Sequence, residues 1–204
     1  MDQETMETKF VSEGDDMEER IIEAARDLIN QYGFRKFTMD DVSRNLGISK
    51  KTLYKFYSGK KQLISAVNDH LIEIDTEKTI QAMEQEQSWL AKIQSIIFIS
   101  QYAIPACIVS ELRYFYPVEW KKVQALREFK SQQIYTLLRE GAKKGEINPA
   151  LELDIVVPML EKILESLLQL DYLSSHDLTI RKFLEQVSEI LFSGILKRAG
   201  SEEE

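Results

Sequence analysis

Residues 49–55 read Ser-Lys-Lys-Thr-Leu-Tyr-Lys. On a helix beginning after Ser49, Leu53 turns inward. Ser49, Lys50, Lys51, Thr52, Tyr54 and Lys55 then share the outer face. Amines and hydroxyls donate to phosphate oxygens or base-edge acceptors, and the threonine methyl can touch a thymine methyl. No acidic residue interrupts this face, and the helix N-terminus adds partial positive charge toward phosphate. The chemistry on offer is recognition of a polyanion. A small helical domain with a solvated polar face is the plainer alternative.

Charge distribution sharpens the point. The chain of 204 residues has a formal net charge of -8. Between Arg35 and Lys61, Arg35, Lys36, Arg44, Lys50, Lys51, Lys55, Lys60 and Lys61 face only Asp40 and Asp41, so this window carries +6 and the remainder -14. Phosphate would attract the window and repel the remainder, which would orient the protein on DNA. On charge alone, a chance cluster of solvated lysines remains equally open.

These side chains need elements to hold them. Asp15 or Asp16 is expected to cap a first helix, with Glu18 and Glu19 in its first turn. Ile21, Ala25, Leu28 and Tyr32 form its apolar face, and Gly33 ends it. Thr38 opens a second helix in a capping box completed by Asp41. Met39, Val42 and Leu46 line one side of that helix, Gly47 ends it, and Ile48 points inward from the turn. Ser49 caps the third helix, on which Leu53 and Tyr57 pack together. Two short helices joined by a glycine turn and braced by a preceding helix form a helix-turn-helix.

The run from Thr38 to Leu63, TMDDVSRNLGISKKTLYKFYSGKKQL, resembles the DNA-binding segment of the TetR (tetracycline repressor) family. Ile21 to Phe34 resembles that family's first helix, so the likeness covers about residues 17–70. The resemblance implies that Thr38 and Tyr54 meet phosphates. It implies that Ser49, Lys50, Lys51, Thr52 and Lys55 lie near base edges or backbone, and that Lys60 meets phosphate again. Four positions depart from the pattern. Phe56 stands where the family often has Tyr or His, and Lys51 replaces a frequent small residue. Tyr57 replaces the usual core Phe, so its hydroxyl needs a partner. Gly59 replaces a better cap before the fourth helix.

The remainder reads as helices. Lys60 to about Gln85 is amphipathic through Leu63, Val67, Leu71, Ile74 and Ile80. Trp89 to about Tyr116 is apolar and broken or kinked at Pro105. Val118 to Lys144 ends at Gly145, and Pro149 marks the next boundary. Asp154–Leu173 and Leu178–Lys197 complete the chain. The expected fold is all-α: an N-terminal three-helix helix-turn-helix DNA-binding domain plus a C-terminal helical regulatory and dimerisation domain. The boundaries are a disordered tail at 1–14, the DNA-binding domain at 15–61, the helical body at 62–198 and a disordered tail at 199–204.

Two faces of the body invite function. Ile155, Met159, Ile163, Ser166, Leu167 and Leu170 recur at helical spacing, as do Ile180, Leu184, Val187, Leu191 and Ile195. The family resemblance implies that the last two helices pair with their copies. Ile163, Leu167, Leu170, Leu184, Val187 and Leu191 are the expected dimer-interface residues. Filling the core of one chain is the alternative. Trp89, Phe98, Tyr102, Phe115, Trp120, Tyr135 and Met159 are candidates for an apolar effector pocket, with Tyr116 adding aromatic surface. Aromatics at helical spacing also serve as plain core.

Other function classes find little support. Cys107 is the single cysteine, which excludes an internal disulfide framework and fits a reducing, cytoplasmic setting. His70 and His176 are far apart in sequence, and neither a glycine-rich phosphate loop nor a GxSxG motif occurs. No enzyme activity, metal or cofactor is expected. Polar residues and Pro105 interrupt Ile93–Val109, so it reads as a buried helix and no membrane partner is expected. The expected partners are a double-stranded DNA operator, a second copy of the chain and a small-molecule effector. A dimeric helical protein-interaction module without DNA binding is the alternative.

Overall fold

The computed structural model describes residues 13–85, 87–99, 106–166 and 180–195. Among them are nine helices: α1 (Glu13–Lys36), α2 (Met39–Leu46), α3 (Lys50–Phe56), α4 (Lys60–Glu84), α5 (Trp89–Ile99), α6 (Ala106–Phe115), α7 (Pro117–Lys143), α8 (Leu153–Ser166) and α9 (Ile180–Ile195). The all-α expectation holds for these residues. The chain divides into two units, Met1–His70 and Leu71–Glu204. That division falls inside α4, nine residues beyond the expected boundary at 61/62.

In the first unit, α1 packs on α2 and α2 on α3. Ile21, Ala25, Leu28, Val42, Leu53, Leu63 and Val67 are buried, so every helix of the unit contributes apolar surface to its interior. Helix α1 begins at Glu13, which puts Asp15 and Asp16 inside its first turn instead of at its cap. Gly33 leaves helical geometry at φ +81° and ψ 167°, and one short turn follows to Lys36. Tyr32 does not continue the buried stripe: this break redirects the chain, and its ring stays half exposed. Phe34 and Phe37 close the interior in its place.

The hydroxyl of the buried Tyr57 donates to Glu18 Oε1 at 3.0 Å. Burial first, and this bond second, push its pKa well above the usual phenol value. The partner required by replacing Phe with Tyr is therefore found 39 residues away.

In the second unit, Ala82, Trp89, Ile93, Ile96, Ile134, Leu137, Leu138, Ile147, Val157 and Leu160 form one apolar cluster. Trp89 is 1% exposed. Its indole N–H donates to Glu146, and its ring lies against Gly141 of α7. A Cβ at position 141 would stand 2.5 Å from Trp89 Cε2, closer than carbon atoms approach. Glycine here serves close packing between α5 and α7. Ile80 points outward, whereas Thr79 and Ala82 are buried.

Lys130 of α7 donates to Asp75 Oδ1 of α4 at 2.8 Å, with both side chains largely buried. Burial lowers the Lys130 pKa, and Asp75 opposes that shift. Replacing Lys130 with alanine should cost about 2 kcal/mol, because a buried carboxylate loses a charged donor. The double change Lys130→Met with Asp75→Leu should recover most of the loss. Urea denaturation midpoints would check both, and equal losses in the two variants would contradict this account.

Candidate nucleic-acid interface

The local geometry of the helix-turn-helix follows from short-range hydrogen bonds. Thr38 Oγ1 accepts from the Asp41 backbone N–H at 3.2 Å, while Asp41 Oδ2 accepts from the Thr38 N–H at 2.9 Å. This reciprocal box satisfies N-terminal groups of α2. Gly47 adopts φ +66° and donates to carbonyls of Arg44 and Ser43 at the end of the same helix. A left-handed residue is needed there, and glycine supplies it without steric cost. Ser49 Oγ then accepts from the Thr52 N–H at 3.0 Å and caps α3.

Leu53 and Tyr57 are buried. Ser49, Lys50, Lys51, Tyr54 and Lys55 are exposed, and Thr52 is half-buried. Tyr54 is 49% exposed, unusual for a large ring without a partner surface. Among the described residues, Lys51 and Lys55 have no ion-pair partner, so both ammoniums are available to an incoming anion. One continuous face therefore presents amines, hydroxyls and a phenol.

Ser49 Oγ and Thr52 Oγ1 lie 2.8 Å apart and share a hydrogen bond, and three further expected contacts also carry internal commitments. Lys50 Nζ lies 2.5 Å from Asp40 Oδ2, joining the first turns of α3 and α2. Thr38 Oγ1 donates to Asp41 Oδ2 at 2.7 Å, so its proton already has an acceptor. Lys60 Nζ donates to the carbonyls of Arg35 and Phe37 at 2.9 and 2.5 Å and lies 4.4 Å from the Phe37 ring centre. It closes the end of α1, where carbonyls lack helical donors. A phosphate at Lys60 would share its ammonium with these two bonds. Ser58 rather than Gly59 supports the start of α4, through its N–H and hydroxyl on Gln62 Oε1.

Asp41 is held below the usual carboxylate range, chiefly by the Thr38 hydroxyl and then by the Thr38 backbone N–H. A depressed folded pKa stabilises the native state above the ordinary value of 3.8. That contribution disappears as pH falls through the folded pKa. Replacing Thr38 with alanine should cost about 1 kcal/mol at neutral pH. It should also flatten the acid limb of the stability profile below pH 3.8, as read by circular dichroism melts. An acid limb identical to that of the unaltered chain would show that the box does not set it.

Residues 21–67 match the family described as bacterial regulatory proteins, tetR family. That segment of the chain is therefore similar to the DNA-binding part of tetR-family regulators. The match falls inside the span from which the sequence resemblance was drawn. An uncharacterised HTH-type transcriptional regulator of Bacillus subtilis, YvaF, is 27% identical over 190 residues, covering 88% of this chain and 95% of that protein. A TetR/AcrR-family regulator from Thermobifida fusca has the same fold with a TM-score of 0.68 at 15% identity, covering 88% of this chain and 98% of its own. The ketosteroid transcriptional regulator KstR2 of Mycobacterium tuberculosis gives 0.64 at 18% identity, with coverages of 89% and 96%. The matched segment and these relatives mark a DNA-binding transcriptional regulator.

The candidate body residues take varied positions. Trp89 is sealed in the core by Gly141 and Glu146. Phe115 packs edge-on against Tyr114, and both are exposed. Phe98, Trp120 and Tyr135 are half-buried. Arg127 covers Trp120, and the Tyr135 hydroxyl donates to Asp154 at 3.0 Å. Met159 is 55% exposed and stands one turn from Ile155, which is 57% exposed. Ile163 and Val187 are half-buried. Tyr102, Leu167 and Leu170 lie outside the described residues, as do the side chains of Leu184 and Leu191. Among the described residues, no group of His, Cys, Asp and Glu could hold a metal ion, and no helix is long and apolar enough to cross a membrane.

Proposed function

We propose that this chain is a homodimeric, effector-responsive repressor whose α3 enters the major groove of a two-fold operator. The observation that carries the reading is the exposed face of α3, which presents cations and hydroxyls without an intervening carboxylate. Thr38, Ser49, Lys50, Lys51, Thr52, Tyr54, Lys55 and Lys60 are assigned to DNA. Lys51 and Lys55 supply free charge, and Tyr54, Ser49 and Thr52 supply directional hydroxyls. Lys60 is assigned to phosphate beside the two carbonyls it already holds.

Dimerisation is supported by exposed apolar side chains on the two last described helices. Ile155 and Met159 on α8 and Ile190 on α9 are open to solvent in the single chain. Met159 thus fits the interface better than the pocket. A single short recognition helix binds weakly, so a second copy supplies both affinity and symmetry. The half-buried Phe98, Trp120 and Tyr135 remain the best effector-contacting candidates, and Tyr135 packs against the apolar cluster that contains Trp89. An effector favouring another spacing of the two α3 helices lowers operator affinity by its preference for that state. Repression is assigned because occupying a promoter needs no additional contact surface.

The test is selection of purified protein against a random duplex library. The expected result is a two-fold motif whose half-sites lie roughly 34–36 Å apart, with binding that weakens steeply as salt is added. A folded dimer that enriches no sequence at low salt would overturn the proposal and favour a protein-interaction module.

A further inference from the structure

Asp40, one of two carboxylates in a region otherwise rich in cations, sits beside the exposed face of α3 through its contact with Lys50, a position that phosphate attraction alone disfavours. Its carboxylate accepts from Lys50 at 2.5 Å, across ten residues and between two helices. Both side chains are open to solvent. Such an exposed pair adds little to stability in the free protein. A net attractive surface would gain more phosphate affinity with a neutral residue at position 40. The pair therefore has another use.

We propose that Asp40 is a positioning residue for sequence readout, fixing the Lys50 ammonium so that Lys50 selects guanine at one operator position. The proposal rests on the assignment of α3 to DNA and deepens it. A lysine ammonium is a point charge on a flexible four-carbon stem, and unaided it satisfies phosphate or any base-edge acceptor within reach. Asp40 takes one of its three N–H donors and fixes the direction of the other two. Guanine presents O6 and N7 side by side in the major groove, which match two fixed donors, whereas adenine offers N7 beside an amino group that repels them. When the groove excludes water, the Asp40–Lys50 attraction strengthens, and the negative charge holds Lys50 away from competing phosphates. Asp40 thus exchanges general affinity for discrimination.

The test uses the full-length dimer and the operator recovered by selection. Asp40→Asn and Asp40→Ala should raise affinity for non-operator duplex at low salt and relax base preference at a single symmetric pair of operator positions. The guanine-over-adenine ratio there should fall about five- to tenfold, within the range for removal of one oriented base interaction. Asp40→Glu, which keeps the charge, should restore part of that ratio. Lys50→Met should lose the same preference, and Asp40→Asn should change it no further in the Lys50→Met background. A uniform change of affinity with every base preference intact would overturn the proposal, since that is the signature of a merely electrostatic residue. A preference shift that persists in the Lys50→Met background would also overturn it, because Asp40 would then touch a base itself. Circular dichroism of each variant separates these outcomes from misfolding, and the three substitutions at position 40 guard against loss of any one. If the unaltered chain enriches no motif, the assignment of α3 fails and this inference fails with it. If the motif appears and the variants leave it unchanged, only the inference fails.

Discussion

Replacing Lys50, Thr52 and Tyr54 together with alanine is expected to reduce operator affinity at least about a thousandfold, to the level of non-operator DNA. The three side chains supply an amine, a hydroxyl and a phenol from neighbouring positions of one exposed face. A dimer loses each of them twice. Their removal should spare the fold. Lys50 and Tyr54 are exposed, and the Ser49 cap uses the backbone N–H of residue 52, which alanine retains. The buried anchors Leu53 and Tyr57 are untouched. Titration at several salt concentrations should also show a shallower slope, by about one for each phosphate that Lys50 no longer neutralises. Operator affinity retained in a folded triple variant would remove α3 from the interface.

The second large effect lies in the body. Trp89→Ala should destabilise the second unit by about 3–5 kcal/mol, since it empties the space of the largest fully buried side chain and leaves Glu146 without the indole donor. The converse change tests the same packing from the other helix. Gly141→Ala inserts a Cβ 2.5 Å from the indole, so either α7 or the ring must move. Overpacking of this kind costs about 1–3 kcal/mol. Adding Trp89→Phe to Gly141→Ala should be less than additive, because the smaller ring vacates the space that the new methyl needs. Thermal and denaturant unfolding would measure each variant, and strict additivity of the pair would show that the two residues do not press on each other.

What the sequence made legible was mainly local. The Thr38–Asp41 box, the left-handed Gly47 and the Ser49 cap each involve residues at most a few positions apart, where backbone geometry follows directly from side-chain type. The inward and outward faces of α3 followed from helical period once those ends were fixed. Non-local commitments were not visible. Asp40 counted simply as one opposing charge, yet it holds Lys50. Lys60 read as a phosphate contact, yet it closes the end of α1. Periodicity also failed at Tyr32 and Ile80, where an apolar side chain in register nonetheless stays exposed. For Tyr32 the break at Gly33 supplies the reason.

The body was read as a series of helices with candidate pocket and interface residues placed by spacing alone. Aromatic spacing could not separate Trp89, which is sealed in the core, from Phe115, which lies open. That difference is set by partners distant in sequence. Pro158 sits inside α8 without ending it, so the helix spans a residue that ordinarily marks a boundary.

The uneven distribution of charge affects how such a protein shares its time between its target and the rest of a chromosome. Bulk DNA retains a protein in proportion to the phosphates it neutralises. Here the net positive charge is concentrated in one short region of an otherwise acidic chain, and Lys50 and Lys60 are partly committed elsewhere. Encounters in any other orientation are repelled, and chance encounters in the right one are brief. Little of the population is stored on random sequence, so occupancy of a cognate site follows the copy number of the protein closely. A modest change in its synthesis then becomes a change in transcription without any ligand at all.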